Sequence, residues 1–220
     1  KRSGETAREY AYRMIREQVI SLELKPGEAF NDMEFAAKIG VSRTPVREAV
    51  IQLSEESRII EIFPQRGMRI APIDVELVEE ARSLRVLLEK QIAGMCCEMA
   101  TEEDIKWLQE NVGLQEFYME NSRPEMVMQL DDEMHHKLFM ICHRELTYGM
   151  CQKLAIHYDR IRSLSVNTVK DNTIIEDHRK IIQFIAEHKK ENAMAQMEKH
   201  LSRWQLNEGK FRQEFPDYFK

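Results

Sequence analysis

Apolar residues recur at two different periods along this chain, and the change of period divides it in two. Residues of about 6–22, 32–39 and 43–55 carry helical spacing, with turns at Pro26-Gly27 and Gly40 between them. Arg58–Phe63 and Met68–Ala71 read as short extended runs, with Pro64-Gln65-Arg66-Gly67 as a hairpin tip. Three helices and a hairpin predict a winged helix-turn-helix. Beyond Asp74 every stripe is helical. One holds Val78, Ala81, Leu84, Leu88, Ile92 and Met95, and another Val127, Leu130, Met134, Leu138 and Ile141. Leu154, Ile161 and Leu164 form the next, then Ile174, Ile181, Ile182 and Ile185. Ala193, Met197, Leu201 and Trp204 form the last. Asp74, Thr101, Asp171 and Asn192 stand where N-caps belong. The expected fold is mainly α: a winged helix-turn-helix followed by an antiparallel all-helical bundle of about six helices.

Glycine and proline crowd the first third and thin out after Pro72. That shift places a boundary at Ala71-Pro72-Ile73-Asp74, giving units of residues 1–72 and 73–220. Charge follows the same division. The chain carries a net −6, but residues 1–73 hold 12 Lys+Arg against 11 Asp+Glu, and residues 74–220 hold 20 against 27. The acidity therefore lies in the second part, and a nucleic-acid contact has to come from a local patch in the first. Cys96, Cys97, Cys142 and Cys151 form no CxxC pair and sit in helical stretches, as expected of reduced thiols in the cytoplasm. No apolar run is long enough to span a membrane.

The sharpest local signal is Phe35-Ala36-Ala37-Lys38-Ile39-Gly40-Val41-Ser42-Arg43-Thr44-Pro45-Val46-Arg47. Small Ala36 and Ala37 let two helices approach, and Gly40 permits the tight turn. Ser42 can cap the next helix, whose first turn accepts Pro45. Arg43 and Arg47 lie four apart on its outer face, where a recognition helix offers arginine to guanine O6 and N7. Ser42 and Thr44 are candidates for phosphate. At the hairpin tip, Arg66 and Gly67 can approach backbone or minor groove. A lone pair of arginines at this spacing is usually a solvated face. The turn spacing and the following hairpin reverse that reading.

The run "GVSRTPVREAV", preceded by "LKPGE" and followed by "PQRGMRI", resembles the GntR-type winged-helix domain over about residues 10–72. The resemblance implies operator contacts at Ser42, Arg43, Arg47 and Gly67, and more weakly at Thr44. Many such domains have Gly-Leu or Gly-Trp leading into the first wing strand. This chain has Glu56-Ser57-Arg58-Ile59, so a different turn is expected there.

The helical stripes also carry polar residues. Asp131 and His135, four apart, border one stripe, and His178 and His200 lie inside two others. Buried, such groups need hydrogen-bond partners or a metal. "LDDEMHHKL", "IIEDHRKII" and "MAQMEKHLSRW" resemble the motifs of the FCD ligand-binding domain of FadR-type GntR regulators, over about residues 76–208. That resemblance implies a divalent metal on Asp131, His135, His178 and His200. Met134 replaces a usual Phe, and Arg144 a common Asn, without removing a ligand. Zinc is the first expectation, with nickel, manganese or iron as alternatives.

The resemblance also implies a small carboxylate effector. Arg85, on the inward stripe of the first bundle helix with Glu89 one turn on, is its candidate partner, or else simply an intrahelical pair with Glu89. His157 is expected in a core hydrogen bond, His136 and His143 at the surface, and His188, Lys189 and Lys190 after a helix end. The reading is a homodimeric transcription regulator that binds double-stranded operator DNA, with an organic acid setting its affinity. Metal control without an organic effector is the alternative. A hydrolase lacks a positioned nucleophile or general base beside the ligands.

Overall fold

The computed structural model describes residues 1–168 and 173–220, the side chains of residues 167, 168, 204, 206 and 207 excepted. The first part builds α1 (Ala7–Ile20), β1 (Ala29–Phe30), α2 (Asp32–Ile39), α3 (Arg43–Ser57), β2 (Ile60–Phe63) and β3 (Gly67–Ile70). Thr6 and Glu9 close a capping box on α1, and Asn31 caps α2. Gly40 ends α2 in the left-handed conformation at φ 71, which glycine adopts without steric cost. Strands pair antiparallel in the order β1-β3-β2, with Ile60 opposite Ile70 and Phe63 opposite Gly67. β1 is a third wing strand that the two extended runs did not announce; it pairs Ala29 with Arg69. The turn into the wing keeps a glycine-type geometry without glycine, because Arg58 itself takes φ 55. A non-glycine residue there costs about 1–2 kcal/mol.

The second part is α4 (Val75–Met99), α5 (Glu102–Glu120), α6 (Pro124–Ile141), α7 (Glu145–Thr168), α8 (Thr173–Ala186), α9 (Lys190–Leu201) and α10 (Trp204–Glu214). Among the described residues seven helices replace the expected six or so, because the last stripe is broken. α9 stops at Leu201 and α10 starts at Trp204, so His200 ends the penultimate helix. Asp74 and Thr101 cap α4 and α5 as expected. Asn192 does not cap: α9 begins two residues earlier, with Lys189 at the cap position. Lys189 and Lys190 thus open α9 rather than close α8, and Lys190 pairs with Glu98 across to α4. Asp171 lies outside the described residues. α4 packs on α7 and α9, and α5 on α6 and α8, around a core that includes Phe139, Met134, Ile181 and Met197. Leu154, assigned inward from its stripe, is 40% exposed. No helix among the described residues is long and apolar enough to cross a membrane.

α7 joins the two parts. Its Ile156 enters the winged-helix core beside Val46 and Leu53. His157 Nε2 lies 2.6 Å from the Ser57 carbonyl, the buried hydrogen bond expected of it. Arg160, fully buried, donates Nη2 to the Ala71 carbonyl at 2.6 Å. Arg16 of α1 reaches the Gln152 carbonyl at 3.1 Å and Asp159 at 3.7 Å. The end of the chain returns to the junction, where Ile73 donates its N–H to the Tyr218 carbonyl and Lys220 pairs with Asp74 at 2.5 Å.

His157 makes this joint sensitive to pH. Burial pushes its pKa below the ordinary 6.5, against the pull of the Ser57 carbonyl; Arg160, Asp74 and Arg58 are the charges nearby. The unfolded chain therefore takes up the proton first as pH falls. The stability due to neutral His157 is whole above about pH 6.5 and fades below it. His157→Gln keeps a donor for Ser57 and does not titrate. It should flatten the fall of Tm between about pH 6.5 and 5; an unchanged slope, read by differential scanning calorimetry, would put the titration elsewhere.

Candidate DNA-reading surface and metal centre

α3 buries Val46, Ala49, Val50 and Leu53 and turns the opposite face to solvent. Ser42, Arg43, Thr44 and Arg47 all lie exposed at its first turns. Ser42 occupies the cap position, but its side chain makes no capping bond, so the hydroxyl is not engaged by its own helix. The two arginines share one partner. Asp32, first residue of α2 and 2% exposed, accepts from Arg43 Nε at 3.0 Å and lies 3.6 Å from Arg47 Nη1. Arg66 and Gly67 are exposed at the wing tip, Gly67 at φ 99 with open space where a Cβ would be. Sequence reasoning found the arginines through the motif and missed Asp32, whose burial depends on how α2 meets α3.

In the bundle, Asp131 and His135 of α6, His178 of α8 and His200 of α9 converge, with one ligand atom of each within 4.8 Å of the others. His178 Nε2 lies 3.3 Å from His200 Nε2 and 3.4 Å from Asp131 Oδ1. His135 Nε2 lies 3.6 Å from Asp131 Oδ2. A second layer orients these rings. Gln115 donates its amide nitrogen to Asn111, so its oxygen faces His178 Nδ1 at 2.9 Å. An amide oxygen only accepts, so Nδ1 carries the proton and Nε2 presents its lone pair to the cluster. Glu89 Oε2 lies 2.5 Å from His135 Nδ1, outside hydrogen-bond geometry, while its Oε1 accepts from Arg85 Nε at 2.5 Å.

Burial lowers the pKa of His178 to about 4 and that of His200 well below its usual value, leaving imidazoles in the form that ligates. Burial would raise Asp131, but the Arg162 guanidinium against it prevails and keeps its carboxyl charged. The donor set fits a divalent cation. His135 Nε2 is buried without a hydrogen-bond partner, and a lone pair, a carboxylate oxygen and further ring nitrogens point at one place. A cation resolves that conflict.

Beside the cluster lies a cavity of about 50 Å³ lined by Arg85, Asp131, Tyr158, Arg162, His200 and Arg203, among others. Arg85 is 6% exposed and lies 5.3 Å from the Tyr158 ring centroid. It pairs with Glu89 and also lines the cavity. Arg162 was not singled out from sequence; besides Asp131 it binds Asp132 and Asp159 at 2.8 Å each. Arg203 binds Asp177 at 2.8 Å. Each of the three guanidinium groups at the cavity is thus held by at least one carboxylate. Of the remaining histidines, His136 stacks on Tyr148 at 4.4 Å, and His143 is exposed.

Comparison with known proteins recognises both parts of the chain. The family model described as "Bacterial regulatory proteins, gntR family" matches residues 7–70, and that of the FCD domain matches residues 80–203. The HTH-type transcriptional repressor RspR of Escherichia coli K12 is 28% identical over 209 residues, 94% of this chain and 91% of the repressor. The Nta operon transcriptional regulator of Aminobacter aminovorans is 26% identical over 84% of this chain and 86% of its own. Among solved structures, E. coli McbR/YncC superposes with a TM-score of 0.80 at 17% identity, over 96% of this chain and 99% of that one. A GntR transcriptional regulator from Rhodococcus sp. RHA1 gives 0.74 at 16%, over 91% and 96%. These two share the fold. With a gntR-family model matched over its winged helix and an FCD model over its bundle, the chain belongs to the GntR family of DNA-binding transcription regulators, in its FCD-containing branch.

Proposed function

We propose that the protein is a cytoplasmic regulator whose operator affinity is set by a small carboxylate bound beside a divalent metal in the helical bundle. Residues 1–72 would be the DNA-binding unit and residues 73–220 the sensing unit. The observation that carries this reading is the junction of two features: four converging ligands, and a cavity beside them ringed by Arg85, Arg162 and Arg203. Asp131, His135, His178 and His200 would hold the ion, zinc in the first instance, and its positive charge would attract the carboxylate of an acid in the neighbouring cavity. Arg85 and Arg162 would orient the acid. On the DNA side, Arg43 and Arg47 would read base edges in the major groove, Ser42 and Thr44 phosphate, and Arg66 and Gly67 the flanking groove.

α7 would couple the two. Arg162 holds Asp159 at 2.8 Å, and Asp159 in turn pairs with Arg16 of α1 at 3.7 Å. An acid that draws Arg162 toward itself loosens its hold on Asp159 and so the seating of the winged helix. The protein would act as a homodimer on a pseudopalindromic operator. A solvent-facing apolar set on α4 and α7, Leu87 at 68% exposure with Leu146 at 88% and Met150 at 72%, supports that assembly.

A second reading, control by the metal alone, is favoured by the cavity's small size of about 50 Å³. Arg85→Ala separates them. It should abolish the acid-induced shift in operator affinity, a coupling of about 1–3 kcal/mol, and leave any metal-induced shift intact in fluorescence anisotropy titrations. An acid shift that survives the substitution removes Arg85 from the effector site.

A further inference from the structure

We propose that Asp32 is a specificity-determining positioning residue: it aims Arg43 and Arg47 at the base edges and holds down indiscriminate attraction to phosphate. The inference rests on the reading that those two arginines contact the operator. A carboxylate that is 2% exposed is an unusual occupant of a DNA-facing turn, since the phosphates it approaches carry the same charge. Its place in the fold explains its tolerance. It is the first residue of α2, where the helix dipole favours an anion. From there it reaches across to the recognition helix, accepting from Arg43 Nε at 3.0 Å and standing 3.6 Å from Arg47 Nη1.

Both arginine side chains stay outward, 54% and 61% exposed, so the carboxylate anchors their inner edges and leaves the rest presented. With Nε engaged, Arg43 retains its two Nη groups as a fork, the arrangement that matches guanine O6 and N7. Arg47, approached at Nη1, retains Nε and Nη2. Arg43 is thus held by a hydrogen bond and Arg47 biased by an ion pair before DNA arrives, and less freedom is lost on binding. Asp32 Oδ2 has no hydrogen-bond partner among the described residues, which leaves it to the arginines. The same carboxylate cancels one positive charge at this surface, which weakens binding to any sequence alike.

The two effects give Asp32→Asn a signature that a purely structural residue lacks. Operator duplex selected by the protein from a random pool, and a random-sequence duplex of equal length, would be titrated by fluorescence anisotropy over a range of salt. Asp32→Asn should lower the ratio of operator to random affinity by about tenfold, one arginine–guanine contact's worth of discrimination. Random-duplex affinity should rise, with a salt slope steeper by up to about one. Asp32→Glu, which keeps the charge, should restore most of the ratio. A parallel loss on both duplexes, or an unchanged ratio, overturns the proposal, and Asp32→Glu decides the matter if Asp32→Asn does not fold. If Arg43→Ala and Arg47→Ala leave operator affinity unchanged, the operator reading itself fails, whatever Asp32→Asn does.

Discussion

His178→Ala, purified tag-free and without chelator, is expected to carry far less than one equivalent of metal per chain, where the unsubstituted protein carries close to one. His178 is fully buried, with Nδ1 committed to Gln115 and Nε2 facing Asp131 and His200 at 3.4 and 3.3 Å. Removing it deletes a pre-oriented donor and leaves Asp131, His135 and His200 to bind alone. Disturbing only the residues that orient a ligand costs about 10–100-fold in metal affinity, so loss of the ligand itself should exceed about 100-fold. Gln115→Ala should fall inside that smaller range, because the ring remains while its tautomer is no longer fixed. Elemental analysis with competitive chelator titration reads both. No metal in the unsubstituted protein, even after reconstitution, would make the three histidines a hydrogen-bonded pocket and turn attention to Arg85 and Arg162 alone.

Arg47→Ala should cost about 1–3 kcal/mol in operator binding and relax the preference at one base pair. Arg47 stands one turn after Arg43 on the exposed face of α3, and Val46 and Val50 on the opposite face are fully buried in the winged-helix core. The backbone under the arginine is therefore rigid, and its truncation removes a contact without moving the helix. Binding measured against single-base variants of the operator distinguishes two cases. A loss confined to one position identifies a base contact. An equal loss on every sequence, with the salt slope reduced by about one, means that Arg47 touches only phosphate.

Much of this arrangement is written in local sequence. The helix-turn-helix announces itself because Gly40, Pro45 and the buried Val46 and Val50 are constraints within one short segment. Helical spacing places Asp131 under His135 and sets His178 and His200 among apolar neighbours, where an ionisable group needs a reason; only the resemblance to the FCD motifs made that reason a metal. What stayed hidden depends on distant partners. Asp32, Gln115 and Arg162 look like ordinary surface residues until α2 meets α3, α5 meets α8, and α7 meets α6. Strand β1 spans two residues, too few for any alternation. The break between α9 and α10 carries neither glycine nor proline, so the stripe ran on past it. Leu154 followed its helical spacing faithfully and is still half-exposed, since a stripe tells which residues share a face but not how far a neighbour covers it. Arg58 shows the reverse: where a glycine was expected to matter, the backbone kept its geometry and placed an arginine in the left-handed conformation.

The central claim, that metal and acid in the bundle govern DNA binding, is tested most directly by one titration. Metal-loaded and metal-free protein would each be titrated by fluorescence anisotropy against the selected operator duplex, with and without a panel of small mono-, di- and tricarboxylates. The account predicts that at least one acid shifts operator affinity of the metal-loaded protein by about 5–150-fold, and that the shift is lost when the metal is removed. Identical operator affinity with and without metal, unmoved by every acid, would contradict it.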